Sequence, residues 1–274
     1  MIRLQEGALS RYCFQSFQGA PLIQGAFTRL GGVSRGDFAS LNVGRTVGDA
    51  PNDVEANHQA IYRALGVLAE AVVTVRQVHG ERVMIVSPED GGKSLGEADA
   101  LISNVPGLLL LLRFADCVPV FLYAPRQGAV GLAHAGWQGT AKGIAAKTAL
   151  AMISAYGCQP EEILAGLGPA IGPCCFDVGA EVLGAVQGKP WAAEALTPGA
   201  DGKSYLDLWR ANALQLQDVG LTHIEHSCLC TCCQREEFYS HRGEKGHTGR
   251  FAAVIGLFAP SSSPGRSGEE KGRG

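Results

Sequence analysis

Seven short apolar runs, each bounded by turn residues, most constrain the fold of this 274-residue chain. Runs of five to seven branched or apolar residues predict β-strands over 71–75, 82–86, 108–113, 118–123, 128–133, 163–167 and 251–257. Amphipathic spacing and capping residues predict helices over 52–65, 143–156, 179–186 and 206–219. Strands and helices do not alternate in a strict βαβα order. The pattern therefore predicts an α+β fold with layered, mixed β-sheets.

The domain organisation follows from where composition changes. No stretch before residue 260 has the composition of a linker, so we expect one domain over 1–259. Residues 260–274 contain only Pro, Ser, Gly and charged side chains, which have no apolar surface to bury. We expect this segment to be a disordered tail.

Charge and hydropathy exclude several functional classes. The net charge is −3 and the pI about 6.2, so no basic field attracts nucleic acid or an anionic membrane. No run reaches the roughly 18 to 20 apolar residues of a membrane helix, and the start lacks a signal peptide's apolar stretch. Nine cysteines, an odd number, argue against disulfide staples. We expect a soluble, cytoplasmic protein with no nucleic-acid or membrane partner.

Three glycine motifs resemble nucleotide-binding loops without fitting them. The run 166–172 follows a strand, but its glycine spacing is one residue too long and Pro169 interrupts it. The Gly-Lys-Ser triplets at 92–94 and 202–204 lack the first glycine of a phosphate-binding loop. We expect surface turns at both triplets and no dinucleotide site.

A set of histidines and a cysteine lies at the ends of predicted strands. His79 and His134 each end a strand beside small residues, and Asp116 and Cys117 separate two very apolar strands. Catalytic zinc takes three such protein ligands and leaves a fourth position for water, whose pKa falls to about 7. The set favours a zinc site, although each residue alone is also typical of a protein core.

Eight segments in order resemble the YfiH/YlmD family, known both as laccase-domain or polyphenol oxidase proteins and as purine nucleoside phosphorylases. The segments are 27–34, 40–44, 77–80, 98–100, 115–119, 134–137, 172–175 and 248–250. The resemblance covers nearly all of the chain before residue 260. It implies an unusual α/β sandwich and metal ligands at His79, Cys117 and His134.

The resemblance also implies an activity and a cofactor. The family is linked with phosphorolysis of adenosine, inosine, guanosine and S-methyl-5'-thioadenosine to the free base and a ribose-1-phosphate derivative, and with adenosine deamination. Its cofactor is described as zinc, with copper tied to the oxidase label. The chain departs from the family at Phe176, Asp177 and His241, where tyrosine, glutamate and tyrosine are common. These departures point to a change in substrate preference.

Two residues have alternative chemical roles. Asp116 is a candidate proton carrier, or else a hydrogen-bond partner that orients a metal ligand. Cys117 is a candidate metal ligand, or else a thiol nucleophile that His134 or His79 activates. Either role would also serve a metal- or Cys-dependent amide hydrolase that edits peptidoglycan precursors, an activity reported for some bacterial relatives.

Substrate-binding candidates are mostly arginines. Guanidinium groups suit phosphate, and Arg29, Arg76, Arg242 and Arg250 are candidates, of which Arg29 and Arg250 lie in family segments. Asn42 is a candidate for binding a base or ribose edge, or a turn cap. The expected partners are purine nucleosides and phosphate, and the oligomeric state stays open.

An ordinary laccase is excluded by the histidine count. The chain has seven histidines and no His-x-His pair, too few to supply a trinuclear copper cluster. Oxidase activity would therefore come from copper that replaces zinc.

A run of four cysteines, at Cys228, Cys230, Cys232 and Cys233, raises the alternative of a non-catalytic metal-handling protein. Only Cys230 and Cys233 have Cys-x-x-Cys spacing. A second pair would have to come from 174–175 or from His223 and His226. We expect buried or adventitious thiols here in preference to a second metal.

Overall fold

Two large mixed β-sheets and one small sheet form the framework of the computed structural model, which describes residues 1–259. The tail expected over 260–274 lies outside the described residues. The strands are β1 Ile2–Glu6, β2 Leu9–Cys13, β3 Leu22–Phe27, β4 Val72–Arg76, β5 Val83–Ile85, β6 Ser94–Glu97, β7 Ala100–Ser103, β8 Leu109–Phe114, β9 Val118–Ala124, β10 Ala129–Ala135, β11 Leu164–Leu167, β12 Asp177–Val178, β13 Leu196–Pro198, β14 Ser204–Leu206, β15 His223–His226 and β16 Phe251–Leu257. The helices are α1 Pro51–Leu65, α2 Trp137–Lys142, α3 Ile144–Tyr156, α4 Ala180–Val186, α5 Ala192–Ala195 and α6 Leu208–Asp218.

The strand orders mix parallel and antiparallel neighbours. The first sheet has the order β1-β2-β3-β16-β8-β4-β6, the second β15-β11-β9-β10-β7-β5, and the small third sheet β12-β14-β13. Most pairs are antiparallel, but β4 pairs in parallel with β8 and β6, β5 with β7, and β11 with β15. The prediction of an α+β fold with mixed sheets is therefore confirmed.

Alternate side chains of β8 point to opposite faces of the first sheet and show how the layers are stacked. Leu110 and Leu112 face the second sheet, where a cluster including Phe121 buries them between the sheets. Leu109 and Leu111 face the other way and pack against Ile61 and its neighbours on α1. Because both faces of β8 are buried, the strand is a continuous leucine run. Helices α3 and α6 cover the outer face of the second sheet.

Local chemistry fixes the ends of the helices. Helix α1 has Pro51 in its first turn and ends at Gly66, whose φ of 65° is a left-handed conformation that glycine adopts without strain. The Asp207 side chain accepts the backbone N–H of Arg210 at 2.9 Å and caps α6.

All seven predicted strands and all four predicted helices are present, with boundaries that differ by at most two residues. Nine strands (β1, β2, β3, β6, β7, β12, β13, β14 and β15) and the short helices α2 and α5 were not predicted. Strand β1, for example, is short and mostly exposed, and Ile2 and Leu4 are its only apolar residues. No helix follows the glycine run after β11, as expected, and turns precede Ser94 and Ser204. Within residues 1–259, no helix has the length and apolar character needed to cross a membrane.

The chain crosses from one large sheet to the other at the turn between β8 and β9. Asp116 and Cys117 lie in this turn, and Asp116 has a φ of 84°, a left-handed conformation that non-glycine residues rarely adopt. His134 lies near the end of β10, opposite Pro119 of β9. The strand ends therefore meet at one edge of the sandwich, where the candidate site is found.

Candidate active site

Three residues predicted as metal ligands converge at this edge. One ligand atom from each of His79, Cys117 and His134 lies within 4.8 Å of the other two. The two imidazole rings meet edge to face, with centroids 4.9 Å apart. His134 is buried, whereas His79 is exposed at the mouth of a cavity. The arrangement is a candidate metal site open to the cavity on one side.

The backbone around His79 is held by a buried carboxylate. Asp99 accepts the N–H groups of Val78, His79 and Gly80 at 3.2, 3.0 and 2.7 Å. These consecutive N–H groups converge on one anion because His79 has a φ of 57°. The same carboxylate accepts Nδ1–H of His134 at 2.9 Å, which leaves Nε2 of that ring free to bind a metal. Asp99 lies in the family segment 98–100, but the sequence alone did not indicate this role.

The charges of the three residues stabilise one another. Burial opposes ionisation of the Cys117 thiol, but His134 and His79 outweigh it and lower the pKa of Cys117 to about 6. Burial likewise opposes protonation of His134, but Cys117 and Asp99 raise the pKa of His134 to about 9. In the metal-free protein these shifts favour a thiolate at Cys117 beside a protonated His134, which would give up its Nε2 proton when a metal binds. A thiolate is the form of cysteine that binds metals.

The geometry fits a single zinc-type ion. Tetrahedral zinc holds imidazole and thiolate atoms about 3.3 to 3.6 Å apart, and the three ligand atoms lie within 4.8 Å of one another, close enough to converge on one ion. Gly136 leaves the necessary room, because a Cβ there would lie 2.7 Å from Cys117 Sγ and 3.2 Å from His79 Cδ2. The donor set, two nitrogens and one sulfur, suits zinc or copper.

Asp116 is turned away from this cluster. Its Oδ1 accepts the hydroxyls of Thr231 and Ser240, each at 2.7 Å, and its Oδ2 accepts the backbone N–H of Arg242 at 2.7 Å. Neither predicted role of Asp116 fits this geometry, since both oxygens are engaged and Asp99 is the partner that orients a ligand. The left-handed backbone at Asp116 instead aims its carboxylate at the segment 231–242.

A cavity of about 940 Å³ opens above the three candidate ligands. Its walls carry one carboxylate, Asp116, but five arginines. Those arginines are Arg45, Arg76, Arg113, Arg242 and Arg250. Trp137 and Phe176 add aromatic surface, and His241 lies at the wall. Two of the positions at which the chain departs from the family, Phe176 and His241, therefore line this cavity.

The arginines differ in whether a carboxylate pairs with them. Arg45, Arg76 and Arg242 pair with Glu55, Glu97 and Asp177. In the described part of the chain, no ion pair includes Arg113 or Arg250. Burial lowers the pKa of Arg113 to about 10, which leaves it charged at neutral pH. Burial also lowers the pKa of Arg250, and the nearby Cys117 and Asp116 oppose that shift.

Two predicted substrate residues do not line the cavity. The guanidinium of Arg29 pairs with Glu244 at 2.8 Å, donates to two backbone carbonyls and stacks on Tyr239. Asn42 is fully buried, and its Oδ1 accepts the backbone N–H groups of Gly44 and Arg250, both at 2.8 Å. Loop contacts use the polar atoms of Arg29 and Asn42, so this geometry gives no support to substrate binding by either residue, which stays a prediction.

The cysteine run divides into two groups. The structure brings Cys230 and Cys233 against the adjacent pair at 174–175, whereas Cys228 and Cys232 lie outside that group. The alternative second pair, His223 and His226, is on β15 and does not join it.

Comparison with known proteins identifies the family. A family model described as "Multi-copper polyphenol oxidoreductase laccase" matches residues 23–258. The chain belongs to this family. Within this laccase-like family, it is 40% identical to "Purine nucleoside phosphorylase YlmD" of Geobacillus stearothermophilus over 258 residues, which is 87% of this chain and 92% of that protein. It is 39% identical to "Purine nucleoside phosphorylase YfiH" of Escherichia coli over 231 residues, 84% and 91% of the two chains.

Solved structures support the same assignment. The crystal structure of YlmD from Geobacillus stearothermophilus matches with a TM-score of 0.87 at 37% identity and covers 94% of this chain and 99% of that one. The resemblance to the YfiH/YlmD family and to its fold is thus confirmed.

Proposed function

We propose that this protein is a zinc-dependent purine nucleoside phosphorylase that acts on adenosine, inosine, guanosine and S-methyl-5'-thioadenosine. Phosphate oxygen attacks C1' of the ribose, the bond from C1' to the purine nitrogen breaks, and the products are the free base and ribose 1-phosphate or its thio derivative. The relatives named purine nucleoside phosphorylase support this reaction class.

One observation carries the proposal. The cavity above His79, Cys117 and His134 is lined by arginines, two of which have no carboxylate partner in the described residues. Arg113 and Arg250 are half-buried, and their guanidinium groups donate to backbone carbonyls but meet no carboxylate in the described residues. Backbone carbonyls do not neutralise the positive charge, so an anionic ligand is the natural partner of both. Their planar forks match the oxygen atoms of phosphate. Arg76 and Arg242 line the same cavity but already pair with carboxylates, so we assign the phosphate chiefly to Arg113 and Arg250.

The remaining cavity wall suits a nucleoside. A volume of about 940 Å³ lies within the range of small-molecule sites, and the half-buried Trp137 offers a flat surface to a purine ring, while the buried Phe176 forms the wall beside it. Arg242 stacks on Phe176, with its central carbon 5.3 Å from the ring centroid. We assign the purine to this aromatic side and the phosphate to the arginine side.

The metal ligands in this proposal are His79, Cys117 and His134. When bound there, zinc supplies Lewis acidity and positive charge beside the departing base. Asp99 keeps His134 in the tautomer with Nε2 free, and Asp116 positions the segment 231–242 that forms part of the cavity wall. Copper would bind the same donors, which accounts for the oxidase name of the family without a multicopper centre. Within residues 1–259, the only other cluster of metal-binding side chains contains no histidine.

We also propose adenosine deamination as a second activity of the same site. The open side of the three-ligand cluster faces the cavity that would hold the base. In zinc deaminases, water replaces the amino group at C6 and ammonia leaves. We propose a cytoplasmic location as well, because an odd number of cysteines, several of them clustered, is typical of proteins in a reducing compartment.

A nucleoside panel with and without phosphate tests the proposal. We expect adenosine, inosine and guanosine to release free base and ribose 1-phosphate in equal amounts, only when phosphate is present. Adenosine without phosphate should give inosine and ammonia. Base release that is independent of phosphate would overturn the phosphorylase assignment. Release of an amino acid from muropeptide amides, with no nucleoside turnover, would favour the amide hydrolase instead.

A further inference from the structure

Four cysteine side chains form a second cluster, separate from the three candidate ligands. The Sγ atoms of Cys174, Cys175, Cys230 and Cys233 all lie within 4.8 Å of one another. Cys233 Sγ is 3.6 Å from Cys174 Sγ and 3.4 Å from Cys175 Sγ. The sulfur atoms of a tetrahedral zinc tetrathiolate lie about 3.8 Å apart. The cluster thus has the size of a four-sulfur metal site.

The four cysteines are not arranged like inert core thiols or like a pair ready to form a disulfide. One sulfur, that of Cys233, has two sulfur neighbours at nearly equal distances, so no single pair is selected. Cys174 and Cys233 are exposed, which is unusual for cysteines that serve only as small apolar residues. Cys230 and Cys233 have the Cys-x-x-Cys spacing of structural zinc sites.

The surrounding backbone favours a charged sulfur at Cys230. The N–H of Gly172 donates to Cys230 Sγ at 3.2 Å in a buried contact. A bridge between Ala170 and Cys230 aligns the two segments in parallel. Gly172 also allows their close approach, because a Cβ there would lie 3.2 Å from Cys174 Sγ and 3.3 Å from Cys230 Cβ. Hydrogen bonds from N–H groups to ligand atoms are typical of the surroundings of metal sites.

We propose that Cys174, Cys175, Cys230 and Cys233 bind a second zinc ion, which holds the cavity wall in place. This revises the expectation of buried or adventitious thiols, because the sequence did not show that 174–175 would lie against the second pair. All four positions are protein ligands, so the site is closed and structural, not catalytic.

The proposed ion joins two segments that both reach the cavity. The 174–175 pair precedes Phe176, and the second pair flanks Thr231, whose hydroxyl binds Asp116. Arg242, farther along the same segment, donates to Asp177 and stacks on Phe176. Loss of the ion would therefore loosen the wall that carries Phe176 and Arg242. The three candidate ligands of the first site would stay in place.

Metal content separates the two sites. We expect two zinc ions per chain in the wild-type protein, and one in both Cys117→Ala and the double variant Cys174→Ser/Cys233→Ser. Cys228→Ser, from the same run, and Cys158→Ala, from the core, are controls that lie outside the cluster, and each should keep two ions. The double variant should raise KM for the nucleoside more than it lowers kcat. Two zinc ions in the double variant, or fewer than two in the controls, would overturn the assignment.

A measurement on the unmodified chain keeps the test independent of variant folding. In the native protein the exposed Cys174 and Cys233 should resist alkylation until a chelator removes zinc, and cobalt substitution should give sulfur-to-cobalt charge-transfer absorption that Cys117→Ala largely retains. Rapid alkylation of both cysteines without chelator, or a disulfide within the cluster, would contradict a tetrathiolate zinc. Neither result depends on nucleoside turnover, so this proposal and the phosphorylase proposal can fail separately.

Discussion

The carboxylate of Asp99 links both histidines of the candidate metal site. It accepts Nδ1–H of His134 at 2.9 Å and the backbone N–H of His79 at 3.0 Å. Asp99 is fully buried, and these hydrogen bonds lower the pKa of its carboxyl despite the opposing effect of burial. A single charged residue therefore fixes the tautomer of one histidine and the left-handed backbone of the other.

Asp99→Asn should weaken metal binding without unfolding the protein. The amide keeps the size of the side chain but loses the charge and one acceptor, so His134 is no longer held with Nε2 free. We expect zinc affinity to fall by about 10- to 100-fold. Asp116→Asn is the matched control. The amide oxygen can still accept the hydroxyls of Thr231 and Ser240, but its NH2 group faces the N–H of Arg242 and the charge is lost, so stability should fall by about 2 kcal/mol with zinc affinity unchanged. Competition with a chromogenic chelator measures the zinc affinity of both variants. Equal zinc affinity in Asp99→Asn and wild type would contradict the role of Asp99.

Gly136→Ala tests how closely the backbone approaches the thiol. Gly136 has a φ of −74°, so alanine brings no backbone strain and acts only through its methyl group 2.7 Å from Cys117 Sγ. We expect a loss of metal together with about 1 to 3 kcal/mol of destabilisation from overpacking. Gly184→Ala on α4 is the control, because its Cβ meets nothing within 4 Å and should leave metal content unchanged. Metal content by mass spectrometry and chemical denaturation distinguish the two variants. A fully metallated Gly136→Ala protein would show that the space is not needed.

Arg250→Lys should raise the KM for phosphate by about tenfold, equivalent to roughly 1.4 kcal/mol, while zinc stays bound. Lysine keeps the charge but loses the planar fork that matches two phosphate oxygens. Arg29→Lys is the comparison, since its guanidinium is engaged by Glu244 and by backbone carbonyls outside the cavity. That variant should lose stability at an unchanged KM for phosphate. Steady-state kinetics at varied phosphate decide the point, and the opposite pattern would restore Arg29 as the phosphate ligand.

The reactivity of Cys117 in the metal-free protein should follow an acidic pKa. Because His134 and His79 lower the pKa of this thiol to about 6, the thiolate persists at neutral pH and is lost as pH falls through 6. The alkylation rate should therefore be near its maximum at pH 7 and fall about tenfold for each pH unit below 6. Burial raises the pKa of Cys13 and Cys158, so they should react slowly at neutral pH. Mass spectrometry of alkylated peptides across pH measures these rates, with Cys117→Ser as the blank. A midpoint near pH 9 for the alkylation of Cys117 would contradict the lowered pKa.

Much of the fold was predictable because the burial of a strand or a helix face requires apolar residues in a recognisable pattern. The leucine run of β8 and the spacing along α1 reflect the layers between which they pack. The strand β1 was not predictable, because it is mostly exposed and is held by pairing with β2 and by an ion pair between Arg3 and the distant Glu237.

The candidate site was predictable only in part. His79, Cys117 and His134 follow from residue type and strand ends. The role of Asp99 depends on hydrogen bonds to residues 19 to 35 positions away, and no local pattern reports such contacts. Arg113 was missed as a cavity residue, although a lone charge ending an apolar strand is a signal that could have identified it. Arg29 and Asn42 lie in family segments because they hold loops, which a motif alone cannot distinguish from substrate binding.

Zinc titration of the metal-free protein tests the central claim most directly. The Cys174→Ser/Cys233→Ser variant isolates the site at His79, Cys117 and His134, and phosphate-dependent release of hypoxanthine from inosine reports activity. The account predicts that the rate rises in proportion to added zinc and levels off at one equivalent per chain, and that the same variant with Cys117→Ala shows no rise. Full phosphorolysis by the metal-free protein, or an unchanged titration after loss of Cys117, would contradict it.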